Sequence, residues 1–149
     1  MYKKVKETHI FISVFCCSLA RVSTKWVDRT LQRKKLQEVL IQLNAVKVTL
    51  QHSEQQLNTP PMDIEDCCCL SALECYRANL HVQFNTTERN HRQLSRSLKN
   101  HLTKSGLCDS HKANSSCQDC ASHPKENATE FFNRLQSLIQ KGIDRLSMI

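Results

Sequence analysis

Nine cysteines in a chain of 149 residues with only two glycines carry the chemistry open to this sequence, and their spacing limits it. Cys67, Cys68, Cys69 and Cys75 form one cluster, Cys117 and Cys120 enclose a C-x-x-C pair, Cys108 falls between, and Cys16 and Cys17 lie near the start. Four thiolates placed tetrahedrally hold zinc. A C-x-x-C dithiol can cycle with its disulfide, but here no strand-helix-strand pattern surrounds the pair and no helix begins directly after Cys117. In an exported chain the same residues oxidise to structural bridges. Cys68 and Cys75, seven apart on one helix face, would be separated by about 10 Å. Two cysteines three apart in an extended segment alongside could meet both, and each bridge would add roughly 2 to 4 kcal/mol.

Export is what the first twenty residues predict. Lys3, Lys4 and Lys6 precede an apolar run from Ile10 to Ala20, with Ser18 and Ala20 spaced like a cleavage site and Arg21, Lys25 and Asp28 following. A basic start, an apolar run of about a dozen residues and small residues at its end form the signal-peptide pattern. Residues 1–20 therefore read as a signal peptide, and 21–149 as one secreted, extracellular domain. Cleavage would remove three lysines, Glu7, Cys16 and Cys17, which takes the formal charge from +7 to +5 and leaves seven cysteines. Seven is odd, so one thiol stays free or pairs between molecules. Sequons at Asn85, Asn114 and Asn127 fit export and would mark exposed, glycosylated backbone.

Catalytic signatures do not emerge. The sequence has no H-E-x-x-H, nucleophile elbow, Walker loop or dinucleotide fingerprint, which points away from an enzyme, a cofactor or a catalytic metal. The seven histidines read as solvated surface residues. Arg89, Arg92, Arg96 and Lys99 make a basic helix face without interleaved aromatics, which argues against nucleic acid and fits docking to an acidic protein surface. A basic, cysteine-rich secreted chain also has the composition of a host-defence protein. No stretch reaches the roughly 18 to 20 apolar residues of a membrane span, so membrane insertion is not expected.

The elements that must position these groups are helices. Few glycines and prolines and 5% aromatic residues exclude collagen-like, Gly/Pro-rich disordered and all-β compositions. Leu36, Val39, Leu40, Leu43, Val46 and Leu50 recur at three- and four-residue steps, predicting an amphipathic helix from about Lys25 to Leu57. Asn58-Thr59-Pro60-Pro61 would stop it. A second helix is expected over Asp63 to Phe84. A third, capped by Thr86 or Thr87, carries Leu94, Leu98 and Leu102 and ends at Gly106. Residues 105–126 then read as a long polar connection, and a last helix over Ala128 to Leu146 stripes Phe132, Leu135, Ile139 and Leu146. Four helices without a convincing strand or an internal repeat predict an all-α bundle.

With the cysteine spacing Cys68-x6-Cys75 around Ser71-Ala72, the pair Cys117-x-x-Cys120 and the run Glu130 to Ile143, the sequence resembles the short-chain four-helix cytokines that share the common gamma receptor chain. Glu88-Arg89 and Leu98-Lys99 also fit the family's third helix. The resemblance implies an up-up-down-down bundle bridged Cys68 to Cys117 and Cys75 to Cys120; Cys67, Cys69 and Cys108 are extra to its pattern, and Cys69 with Cys108 could form a third bridge. It implies a monomeric ligand that joins a private receptor chain and the common gamma chain and triggers immune-cell signalling of the JAK/STAT type. Leu31, Lys34, Lys35, Glu38, Val39 and Gln42 on the first helix and Arg89, Arg92, Arg96 and Lys99 on the third would face the private chain. Gln140 and Ile143 would form an exposed contact for the gamma chain. Gly142 departs from the larger residue usual there, at a helix cost of roughly 1 kcal/mol against Ala.

Overall fold

The computed structural model describes residues 28–84, 88–108 and 116–148. The expected signal peptide, the cap at Thr86 or Thr87 and the sequons at Asn85 and Asn114 lie outside them. Helix α1 covers 28–50 and is followed by strand β1 (Gln56–Asn58), α2 (Cys69–Gln83), α3 (Arg89–Lys99), α4 (His101–Leu107), β2 (Lys125–Asn127) and α5 (Ala128–Ser147). The described residues are mostly helical and none of their helices is long and apolar enough to cross a membrane.

On α1 the expected stripe is the buried one: Leu36, Val39 and Leu43 have no exposed surface and Val46 has 2%. The helix stops seven residues short of Leu57. A turn carrying the bonds Gln51 N to Lys47 O and Ser53 N to Leu50 O releases the chain into β1, which pairs antiparallel with β2 through Leu57 opposite Glu126. Strand pairing and complete burial of Leu57 prevail here over helical periodicity, because tertiary context overrides local propensity. This two-stranded ribbon corrects the strand-free expectation.

The third expected helix is two. Asn100 adopts an extended conformation between α3 and α4, and its side chain accepts from Leu102 N, capping α4. Thr103 Oγ1 and Asn100 N both donate to Ser97 O, so the carbonyl freed by the break is satisfied. The helical segment stops at Leu107, one residue past the expected Gly106, and at Gly106 a Cβ would stand 3.3 Å from Gln32 Cβ and 3.4 Å from Leu36.

The end-to-end contacts show how the helices lie. Arg29 at the start of α1 donates to Arg145 O and Met148 O at the end of α5, while Lys47 donates to Asn133 Oδ1 and Gln136 Oε1, and Thr129 Oγ1 to Gln51 O, at the other end. Thus α1 and α5 are antiparallel neighbours. Gln32 Nε2 donates to Ser105 Oγ on α4. From α2, Tyr76 meets Phe131 edge-on at 5.2 Å between ring centroids, and Phe84 stacks on Phe132 at 5.9 Å. Such aromatic pairs are favourable beyond their buried area, and they fix α5 against α2 at the centre of the core.

Candidate functional site

Three bridges converge on the first two turns of α2 and the turn before it: Cys68 to Cys117, Cys69 to Cys108 and Cys75 to Cys120. The two pairings implied by the resemblance are present, and so is the third. Cys69 is buried inside α2 and reaches Cys108 just after α4. Cys68 and Cys75 hold the 116–120 segment, and Asn79 Nδ2 donates to Cys75 O and Cys120 Sγ. What reads as one long polar connection over 105–126 is therefore the end of α4, a segment cross-linked at three points, and β2. Cys67, Cys68 and Cys117 cluster within 4.8 Å, yet two of the three sulfurs are bonded to each other and so offer no pair of thiolates to zinc.

The segment between β1 and α2 is held by charge. Pro60 O accepts from Tyr76 Oη and from Arg134 Nη1. Arg134 also donates to Glu130 Oε1 at 2.7 Å and pairs with Glu126 at 3.5 Å. The Glu130 bond holds the Arg134 guanidinium even more firmly in its charged form. Burial drives the Tyr76 phenol well above its ordinary range, so it serves as a neutral donor.

The expected receptor positions divide. Arg89, Arg92, Arg96 and Lys99 are all exposed on α3, and none of them is in an ion pair with another described residue. Leu31, Lys34 and Glu38 are exposed on α1, and Lys35 and Gln42 are half-buried. Val39 and Ile143 are corrections: they have 0% and 7% exposure and belong to the core. Each lies on the apolar stripe of its helix, which packing consumes. Gln140 is exposed and donates to Asp144 Oδ1, so no exposed Gln140–Ile143 patch forms.

Two residues that sequence reasoning passed over, Ile41 and Val48, are 71% and 70% exposed. Their signal was present: both fall off the stripe of α1, seven residues apart, on the same face as Lys34 and Glu38. Two histidines are also corrections. His91 and His123 are each 6% exposed, and the Nδ1 of each is buried without a partner among the described residues. Burial lowers both pKa values, and nearby His81 lowers that of His91 further, against the opposing pull of a bond to the Leu80 backbone and of Glu88.

Asn127 is exposed and caps α5, accepting from Glu130 N at 2.8 Å. Its Oδ1 makes the cap, which leaves Nδ2, the atom a glycan would occupy, clear of that bond. No family model matches the chain, and no curated protein matches it.

Proposed function

We propose that the chain is a secreted cytokine of the common gamma chain family, resembling interleukin-21 within it on the run Glu130 to Ile143, and that it acts by joining two receptor chains rather than by catalysis. The observation that carries this reading is the outward face of α1, where Leu31, Ile41 and Val48 stand exposed beside Lys34 and Glu38. Apolar anchors within a polar rim are the anatomy of a protein interface. The basic face of α3, which makes no ion pair among the described residues, supplies the long-range attraction that speeds encounter with an acidic receptor surface.

An up-up-down-down course is supported by three sets of contacts. The α1 helix meets α4 and α5. The start of α2 is bridged to the end of α4, and the end of α2 stacks on the start of α5 through Phe84 and Phe132. Together they support a course in which α1 and α2 run one way and α4 and α5 the other.

The deciding experiment is binding of the oxidised, secreted protein to immobilised ectodomains of the common gamma chain and of each private chain of that family. Activation of cells that carry the matching pair accompanies it. Binding to one private chain with gamma-dependent signalling is expected. Leakage of anionic vesicles without receptor binding would replace this reading with a host-defence protein.

A further inference from the structure

We propose that Cys67 and Cys68 compete for Cys117, so that the protein holds two interconverting disulfide isomers, Cys68–Cys117 and Cys67–Cys117. Cys67 is the cysteine left outside a bridge among the described residues, and it is half-buried. Its sulfur lies 3.8 Å from that of Cys68, and all three sulfurs are within 4.8 Å of one another. Cys117 Sγ is also 3.5 Å from the backbone oxygen of Cys67. A 3.5 Å contact to Glu65 Oε2 holds the Cys67 thiol, and in-line attack on Cys117 requires that side chain to rotate away from Cys68.

The step balances within the molecule. Cys67 gives its proton to solvent, its thiolate attacks Cys117 Sγ, and the new bond forms as the Cys68–Cys117 bond breaks. The electron pair leaves on Cys68, which takes up a proton. No external oxidant or reductant is consumed. Cys68 is the N-cap of α2, where the positive end of the helix dipole favours a departing thiolate. Attack on Cys68 itself would bridge adjacent residues, whose Cα atoms are only about 3.8 Å apart, less than a disulfide usually spans. Cys117 is therefore the target. Both isomers keep the 116–120 segment tied to the start of α2, and the Cys69–Cys108 and Cys75–Cys120 bridges are untouched.

The test traps free thiols in the oxidised, secreted protein. After incubation at mildly alkaline pH the sample is acidified, labelled with a maleimide in weak acid, digested without reduction and fragmented between residues 67 and 68. The label is expected on both Cys67 and Cys68, in a ratio that drifts to a plateau in alkali and stays frozen in acid. Label confined to Cys67 at every time point overturns the proposal. A second arm uses Cys68→Ser, in which Cys67 should bridge Cys117 and neither should take up label. If the variant is secreted with both Cys67 and Cys117 labelled, Cys67 does not reach Cys117 and the proposal falls. If it is not secreted, the trapping result on the parent protein decides. Neither arm involves a receptor, so failure here leaves the proposed function standing, and the reverse holds too.

Discussion

Gly142 on α5 lies directly against Leu36 on α1: a Cβ at position 142 would stand 2.8 Å from Leu36 Cδ1 and 2.7 Å from Leu107 Cδ2. Helix propensity alone favours Gly142→Ala by roughly 1 kcal/mol. The contacts reverse that expectation, because Leu36 and Leu107 are buried and overpacking a filled core costs about 1 to 3 kcal/mol. Gly142→Ala should therefore lower stability by up to about 2 kcal/mol, read as a drop in the urea midpoint. A rise in that midpoint would show that the two leucines move aside freely.

Acid should weaken the fold through its buried histidines. The folded state holds His91 and His123 below their ordinary value of 6.5, so in acid the unfolded chain binds protons that the folded chain refuses. Their contribution is complete above about pH 6.5 and is lost as the pH falls through the lowered folded values. The urea midpoint should drop between neutral pH and about pH 5, and the double replacement His91→Gln with His123→Gln should flatten that drop. An unchanged slope in the double variant would place the acid sensitivity elsewhere.

The bridge outside the two implied by the family resemblance should matter to stability. Cys69 and Cys108 are separated by 39 residues, and closing a loop of that size removes about 2 to 4 kcal/mol of unfolded-state freedom. Replacing both with Ala avoids leaving a stray thiol and should reduce stability by about that amount, measured by denaturation without reductant.

Surface and core positions of the proposed receptor helices should separate cleanly. Ile41→Asp with Val48→Asp should change stability by less than about 0.5 kcal/mol while reducing private-chain binding at least tenfold by titration. Val39→Asp should instead unfold the protein, because it places an unpaired charge at a fully buried site. Arg92→Glu with Arg96→Glu should slow association roughly tenfold or more at low salt, with the difference shrinking as salt is raised. Equal on-rates at low salt would remove steering by α3.

The glycan expected from the sequon at Asn127 and the cap that Asn127 makes can be pulled apart. Asn127→Asp keeps a side-chain oxygen for Glu130 N and should lose only the glycan, whereas Asn127→Ala should lose the glycan and about 1 kcal/mol of cap. Glycan mass and thermal midpoint of the two variants give the comparison.

Periodicity alone determined the helical class and most of the core. Leu36, Val39, Leu43, Phe132, Leu135 and Ile139 were all placed by their three- and four-residue steps and all are buried, because an apolar stripe has to find cover whatever its neighbours are. Only the tertiary structure decided where elements end and which stripe residues remain available to a partner. Leu57 left the helical pattern for a strand because β2 was there to pair with it. Asn100 split a continuous pattern because its side chain could cap a new helix. Val39 and Ile143 were drawn into the core while Ile41 and Val48 were left outside. Spacing along one helix fixes which residues share a face, but only the arrangement of the other helices fixes which face meets water.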